Sequence, residues 1–364
     1  MKKIIQIEPW INNLELDELK KVVSSTFVTE SELNKEFEEI TSFYTKSKYT
    51  TTICNGTSAL FCCLKVLKIG PGDEVIVPNM TFIATATAVI LTGATVRLVD
   101  VNPITGCLDP LNLLNAINSK TKAIIPVHLY GISCDMDEIT NIAKANNIYI
   151  IEDAAQGVGV KYKNKHVGTI GELGVLSYYG NKTITTGEGG MILTDNYELS
   201  KKIYMLKNHG RERKGTFLHT TIGWNFSFTE MQAALGIAQM KKLNEIISKK
   251  RDLFNFYNRN INNEKLFMRP VPSETTHPVH WFSNIHSPDA KSLENFLQNK
   301  NIPTRRLFFP LNNQPCFQNE SYIVNLNEEF PGTECAYRRI LSLPSSVLLD
   351  IEQKEFIVDM VNKF

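Results

Sequence analysis

The residues of this chain best suited to chemistry are a lysine, an aspartate and a glycine-flanked pair of hydroxyls, each near the end of an apolar run. Lys182 closes the segment Ser177-Tyr-Tyr-Gly-Asn-Lys182 and precedes Thr183-Ile-Thr-Thr-Gly-Glu-Gly-Gly190, after which comes the apolar strand Met191-Ile-Leu193. A lone lysine is nearly always a solvated surface charge. One held among hydroxyls and glycines in a site can lose its proton and attack a carbonyl. Asp153 follows the apolar run Ile148-Tyr-Ile-Ile-Glu152. A carboxylate at the end of a buried strand stays ionised only when paired with a cation or hydrogen-bonded, and a protonated pyridine nitrogen would be such a partner. A helix cap for Ala154-Ala155-Gln156 is the alternative. Asn55-Gly56-Thr57-Ser58 lies between a strand and a helix, where close backbone approach and free N–H groups hold a phosphate. A tight turn with a hydroxyl cap accounts for the same letters.

The elements that must position these residues alternate along the chain. Leu33, Phe37, Ile40 and Tyr44 fall at helical spacing, with Ser31 as the expected cap. Thr50–Cys54 is short and β-branched, and a helical run follows through Leu60, Leu64 and Leu67. Strands are expected at Glu74–Val77, Val96–Val101, Ala123–Leu129, Ile148–Glu152 and Gly174–Tyr178, with helices at Thr81–Leu91 and up to about Ala145. This βαβ spacing predicts an α/β fold with a largely parallel sheet covered on both faces. Ligands of such sheets bind beyond the carboxyl ends of the strands. Thr229–Asn258 reads as one long helix, kinked or broken somewhere. It leads into a smaller unit, giving a division into residues 1–249 and 250–364.

Composition narrows the function. The 364 residues suffice for two domains, and 43% apolar and 21% charged residues describe an ordinary globular protein. A formal charge of +1 gives no reason to expect nucleic acid or a membrane as partner. The seven cysteines are odd in number and form no CxxC, which points to buried thiols in a reducing compartment. No zinc-ligand spacing is present. The opening MKKIIQIEPWINN does not read as a signal peptide, and no apolar run approaches a membrane span, so the expected location is cytoplasmic. Gly157-Val-Gly159 lacks the third glycine of a dinucleotide fingerprint, and neither GxxxxGK[ST] nor GxSxG occurs.

Taken together, these residues resemble the DegT-type (DegT/StrS) sugar-nucleotide aminotransferases, a family within the aspartate-aminotransferase fold (fold type I). The resemblance runs through Asn55-Gly-Thr-Ser-Ala-Leu60, Gly72-Asp-Glu-Val-Ile-Val-Pro78, Thr81-Phe-Ile-Ala-Thr85, Glu152-Asp-Ala-Ala-Gln156, Lys182 with its TITTGEGGM tail, and Gln232-Ala-Ala-Leu-Gly236, in matching order and spacing. It implies a large domain with a mostly parallel sheet of the seven-stranded type and a smaller C-terminal α/β domain. It implies pyridoxal 5'-phosphate, passing through pyridoxamine 5'-phosphate. Lys182 would hold the cofactor as a Schiff base and shuttle the proton, and Asp153 would pair with the pyridine nitrogen. Gln156 would contact the ring hydroxyl and Phe82 would stack on the ring. Gly56, Thr57 and Ser177 would bind the phosphate, and Asn225 would reach the phosphate of a neighbouring subunit in a homodimer.

The reaction the resemblance implies is also narrower. Related dehydratases carry histidine where this chain has Lys182, so transamination is expected. Thr304-Arg-Arg-Leu-Phe-Phe-Pro-Leu-Asn312 and His219 ahead of Gly223-Trp-Asn225 resemble perosamine- and viosamine-type 4-aminotransferases. That implies a nucleotide-linked 4-keto-6-deoxyhexose as acceptor and L-glutamate as donor, released as 2-oxoglutarate. His219, Arg305 and Phe308 would then meet the substrate. A 3-keto-sugar aminotransferase and a non-catalytic member of the fold are the alternatives. Ser227, where the family usually has arginine, and Asn312, where histidine is common, depart from the pattern near the expected substrate site.

Overall fold

The structure, a computed structural model, describes residues 2–213, 215–318 and 321–364. Two helices, α1 (Asn13–Ser25) and α2 (Glu32–Thr45), precede the first strand, β1 (Tyr49–Ile53). Then come α3 (Gly56–Val66), β2 (Glu74–Pro78), α4 (Ala84–Leu91), β3 (Thr95–Val99), the short α5 (Leu113–Ala116) and β4 (Thr121–Ile124). Helix α6 (Met136–Ala145) leads to β5 (Tyr149–Asp153), a hairpin of β6 (Lys161–Tyr162) and β7 (Lys165–His166), and then β8 (Leu173–Ser177) and β9 (Gly190–Thr194). Helix α7 (Tyr197–Lys207) and the long α8 (Glu230–Asn260) follow. The rest comprises β10 (Phe267–Met268), β11 (Thr275–His277), β12 (Ser283–His286), α9 (Ala290–Gln298), β13 (Arg305–Arg306), α10 (Pro331–Arg339), β14 (Ile340–Leu343) and α11 (Ile351–Asn362).

The main sheet has seven strands in the order β1-β9-β8-β5-β4-β2-β3. All run parallel except β9, which is antiparallel to both β1 and β8. Alternation along each strand feeds two cores. Ile76, Ile124, Ile150, Leu176 and Met191 face the layer of α2, α6 and α8. Val75, Val77, Ile151, Val175 and Ile192 face the layer of α3, α4 and α7. The helices thus cover both faces, as the spacing predicts. A four-stranded sheet, β10-β12-β14-β13, has its own core with Leu253, Tyr257, Leu293, Leu341 and Ile357, to which Ile4 of the N-terminal segment also belongs. A three-stranded sheet, β11-β6-β7, ties the segment before β12 back to the loop after β5.

Three local expectations change. Helix α8 runs unbroken for 31 residues, because its buried face passes from the core under α1 and α2 to the core of the four-stranded sheet without interruption. Ser31 precedes α2, but its side chain makes no capping bond. The buried Glu230 carboxylate of α8 caps instead, accepting the backbone N–H groups of Ser31, Leu33 and Asn34 at 2.7, 3.0 and 3.1 Å. Strand β4 ends at Ile124 rather than Leu129, since the chain turns through Pro126 into a left-handed step at Tyr130 (φ 54°) and Gly131 (φ 86°). A side chain at Gly131 would also strike the backbone nitrogens of His280 and Trp281, 2.9 Å from where its Cβ would lie.

Candidate active site

The carboxyl ends of β1, β5 and β8 meet at one edge of the sheet, and a cavity of about 550 Å³ opens there. Because β9 is antiparallel, its first residue, Gly190, reaches the same edge. A Cβ at Gly190 would lie 2.9 Å from the Gly56 nitrogen and 2.7 Å from the Asn55 carbonyl carbon, so only glycine lets β9 close against the start of α3. Gly56, Thr57, Phe82, Asp153, Gln156, Ser177, Lys182, Arg305 and Phe308 all line this cavity.

At its floor, the N-terminus of α3 is prepared for an anion. The Asn55 side chain takes the Ser58 N–H at 2.8 Å and its carbonyl takes that of Ala59 at 3.1 Å. The first-turn N–H groups of Gly56 and Thr57 are left to a ligand, with the Ser177 side chain alongside.

Asp153 is buried. One carboxylate oxygen accepts the Thr85 hydroxyl at 2.8 Å and the other the Ala155 N–H at 3.1 Å. The capping alternative is thus partly realised, but the carboxylate still faces the cavity. Gln156 is fixed by its neighbour: its side-chain oxygen accepts the Tyr130 backbone N–H at 2.7 Å. A backbone N–H only donates, so the amide orientation follows, and the NH₂ end is the one left to donate into the cavity. Glu152, beside Asp153 in sequence, is wholly buried on the other side of the strand. Burial pushes its carboxyl up, but the bond to His128 at 2.9 Å and the N–H groups of Gly168 and Gly171 outweigh that and hold it below its ordinary range.

Lys182 lies in the turn after β8, its N–H bonded to the Tyr179 carbonyl at 2.9 Å. Burial pushes its amine down to about 8; the Asp153 charge pulls the other way and the Arg305 guanidinium adds to the lowering. An amine so placed has a usable neutral fraction near neutrality. The amine sits 4.1 Å from the centre of the Trp281 ring. Phe82 is 52% exposed at the cavity wall, an uncovered aromatic face available to a planar ring. Phe308 lies tilted beside it, ring centres 5.7 Å apart, and Arg305 lies 5.8 Å over Phe308.

These features fit pyridoxal phosphate: an anion cradle, an acceptor for a cationic ring nitrogen, a donor for a ring oxygen, and an amine. His219 and Asn225 are not among them. His219 is exposed, its ring bonded to the His209 carbonyl at 2.7 Å, and Asn225 is exposed in a bridge with Asn208. Ser227 donates its N–H to Asn225, and Asn312 forms a reciprocal pair with Asn79 at 2.9 Å in each direction. Sequence reasoning missed Trp281 and Tyr130, which stack on each other beside the cavity. It also missed Thr85 as a partner of Asp153; the buried threonines of Thr81-Phe-Ile-Ala-Thr85 were the available signal. Among the described residues no helix is long and apolar enough to cross a membrane.

Comparison with known proteins points the same way. The profile of the DegT/DnrJ/EryC1/StrS aminotransferase family matches residues 9–362. The chain is 36% identical over 368 residues to GDP-perosamine synthase of Escherichia coli O157:H7, covering 100% of this chain and 99% of that one. It is 34% identical over 330 residues to dTDP-3-amino-3,6-dideoxy-alpha-D-galactopyranose transaminase of Aneurinibacillus thermoaerophilus, 90% of this chain and 89% of the other. A Streptococcus pneumoniae protein solved in a PLP-form and a PMP-form superposes with TM-score 0.92 in both, at 26% identity, over 100% of this chain and 97% or 98% of its own.

Proposed function

The chain belongs to the DegT/DnrJ/EryC1/StrS aminotransferase family of pyridoxal-phosphate enzymes, and from that membership we propose that it transfers an amino group from L-glutamate to C4 of a nucleotide-linked 4-keto-6-deoxyhexose, releasing 2-oxoglutarate. The observation that carries the amino-transfer reading is the convergence of Lys182, Asp153, Gln156 and the open N-terminus of α3 in one cavity. Position C4 is supported by full-length likeness to GDP-perosamine synthase. Transfer to C3 is the second reading, because a 3-amino-sugar transaminase is nearly as similar. Turnover against a panel of nucleotide-linked 4-keto and 3-keto sugars, with the product assigned by NMR, tests both. An amine found at C3 would overturn the C4 assignment.

When bound, pyridoxal phosphate supplies an electron sink to the carbon bearing the amino group. The chain's residues do the rest. The Gly56 and Thr57 N–H groups and the Ser177 hydroxyl hold the phosphate. The Asp153 carboxylate balances a proton on the ring nitrogen, and the Gln156 amide donates to the ring hydroxyl. Phe82 covers a face of the ring. The Lys182 amine anchors the cofactor and then carries the proton to and from the donor's Cα. Arg305 and Phe308 at the cavity wall meet the sugar nucleotide, the cation facing its anionic part. Asn225 and His219, exposed and outside the lining of their own cavity, would serve the site of a second copy, so the working unit proposed is a homodimer. The division near residue 250 places the four-stranded sheet in the smaller domain.

A further inference from the structure

Trp281 is 2% exposed and stands at the crossing from β11 of the small three-stranded sheet to β12 of the four-stranded one. Its indole N–H, ring and backbone carbonyl are all engaged. Its indole N–H donates to the Asn181 carbonyl at 2.6 Å, one residue before Lys182. Its ring face lies 4.1 Å from the Lys182 amine. Its backbone carbonyl accepts the buried Lys250 amine at 3.2 Å. Its ring meets two others: Phe282 edge-on at 4.6 Å, and Tyr130, stacked at 5.5 Å and 18°. Tyr130 in turn stacks on Phe308 at 5.3 Å, and its backbone N–H, presented by the left-handed turn, fixes the Gln156 amide.

An indole N–H buried on a carbonyl is a directional tether, and a ring face beside an ammonium is a favourable resting place for it. Both act on one short loop between β8 and β9. Near Lys182 that loop is also held by the Tyr179–Lys182 turn and by Thr185 and Thr186 bonds to Tyr178, and its far end is tied to α8 by Thr185 N–H to Gln239 and by Gln232 to the Glu188 carbonyl. We propose that Trp281 is the positioning residue of the amino-transfer site, its N–H and ring face fixing the Lys182 loop while its stack on Tyr130 holds the Gln156 amide in register with it. The proposal rests on the functional reading above for its meaning, since Lys182 and Gln156, which line the same cavity, would both act on the bound cofactor.

The test uses the full-length chain freed of cofactor. The pH midpoint for acetylation of Lys182, read by mass spectrometry of its peptide, should fall near about 8 in the unaltered chain, where burial pushes the amine. In Trp281→Leu the ring face that favours the ammonium is lost, which acts to lower the midpoint, but the released loop lets water reach the amine, and because burial is the largest influence on it the midpoint moves up by about one unit or more toward an ordinary lysine. Trp281→Phe keeps the ring and the stack but loses the tether. It leaves the midpoint close to that of the unaltered chain but speeds hydrogen exchange at the Lys182 backbone amide by about tenfold. A packing role alone would lower the unfolding temperature and leave both readouts where they were. A folded Trp281→Leu chain with an unmoved midpoint overturns the proposal. Should that variant not fold, unchanged exchange in Trp281→Phe does so. If borohydride with pyridoxal phosphate labels no lysine of the unaltered chain, the functional reading fails by itself, since both readouts here are made without cofactor.

Discussion

The Thr85 hydroxyl donates to Asp153 at 2.8 Å, and Thr81 lies 2.9 Å behind Thr85. A hydroxyl has one proton, so with that of Thr85 spent on Asp153, Thr81 must be the donor between the two. All three groups are buried, where a short chain of hydrogen bonds orients a carboxylate more firmly than one would. Asp153→Asn leaves this chain a partner but removes the charge that balances a ring proton. The half-reaction with glutamate, followed by absorbance in single turnover, should slow by several orders of magnitude. Thr85→Val, which keeps shape but removes both the donor to Asp153 and the acceptor of Thr81, should slow it by roughly 10-fold. Near-normal rates in Asp153→Asn would reduce that residue to a helix cap.

Lys182→Ala should fold and take no covalent label. Borohydride reduction of the unaltered chain with pyridoxal phosphate, followed by peptide mapping, should mark Lys182, and a mark on another lysine would refute the assignment.

Only the neutral Lys182 amine can attack. Capture of pyridoxal phosphate by the cofactor-free chain should therefore rise with pH and reach half its maximum near about 8, against a reference lysine value of 10.5. The same shift has a stability sign. Lys182 and Lys250, each pushed down to about 8 by burial, release their protons in the folded chain at lower pH than in the unfolded one. Between about 8 and 10.5 the unfolded chain binds more protons, so these groups make the fold more stable as pH rises through that window. Lys250→Met should flatten the rise measured by denaturant unfolding of the cofactor-free chain.

If Asn225 completes the site of a second copy, mixing a Lys182→Ala chain with an Asn225→Ala chain should restore activity, because one site of a mixed dimer would then carry both lesions and the other neither. If each chain used its own Asn225, every site would keep a lesion and no recovery would appear. Cofactor retention on dialysis is the second readout, since Asn225→Ala leaves the Gly56 and Thr57 N–H groups, the proposed phosphate donors, in place.

Glu230→Ala should cost about 2–4 kcal/mol of stability, because the first-turn donors of α2 and the Asn34 amide lose a buried acceptor together. Guanidinium unfolding at constant m-value measures it.

What was legible in the sequence was what a single segment carries. Asp153 ends an apolar run, Asn55-Gly56 breaks a strand into a helix, and Lys182 follows a strand with glycines behind it, so each could be read from its own neighbours. Trp281 could not, since its importance lies in contacts with Asn181, Tyr130 and Lys250, all distant in the chain. The cap of α2 differs from the expected Ser31 for the same reason: local letters offer a hydroxyl, while the folded chain supplies a carboxylate from 199 residues away. Strand β4 was drawn too long because an apolar run does not say where it stops pairing; Pro126 and the left-handed Tyr130 end it. The even length of α8 was hidden by polar residues that interrupt no turn of its buried face.

The antiparallel strand β9 carries a consequence for how the chain comes to fold. Tyr49 pairs with Thr194 and Ile53 with Gly190, so the strand leading to the phosphate cradle stays without a sheet partner until some 140 further residues have been made. A nascent chain that stops short of β9 contains the letters Asn55-Gly-Thr-Ser58 and Asp153 but has no binding pocket. The pairing that finishes the sheet also brings the lysine turn over the cradle, so closing the edge and acquiring the capacity to take up cofactor are a single late event in the life of the polypeptide.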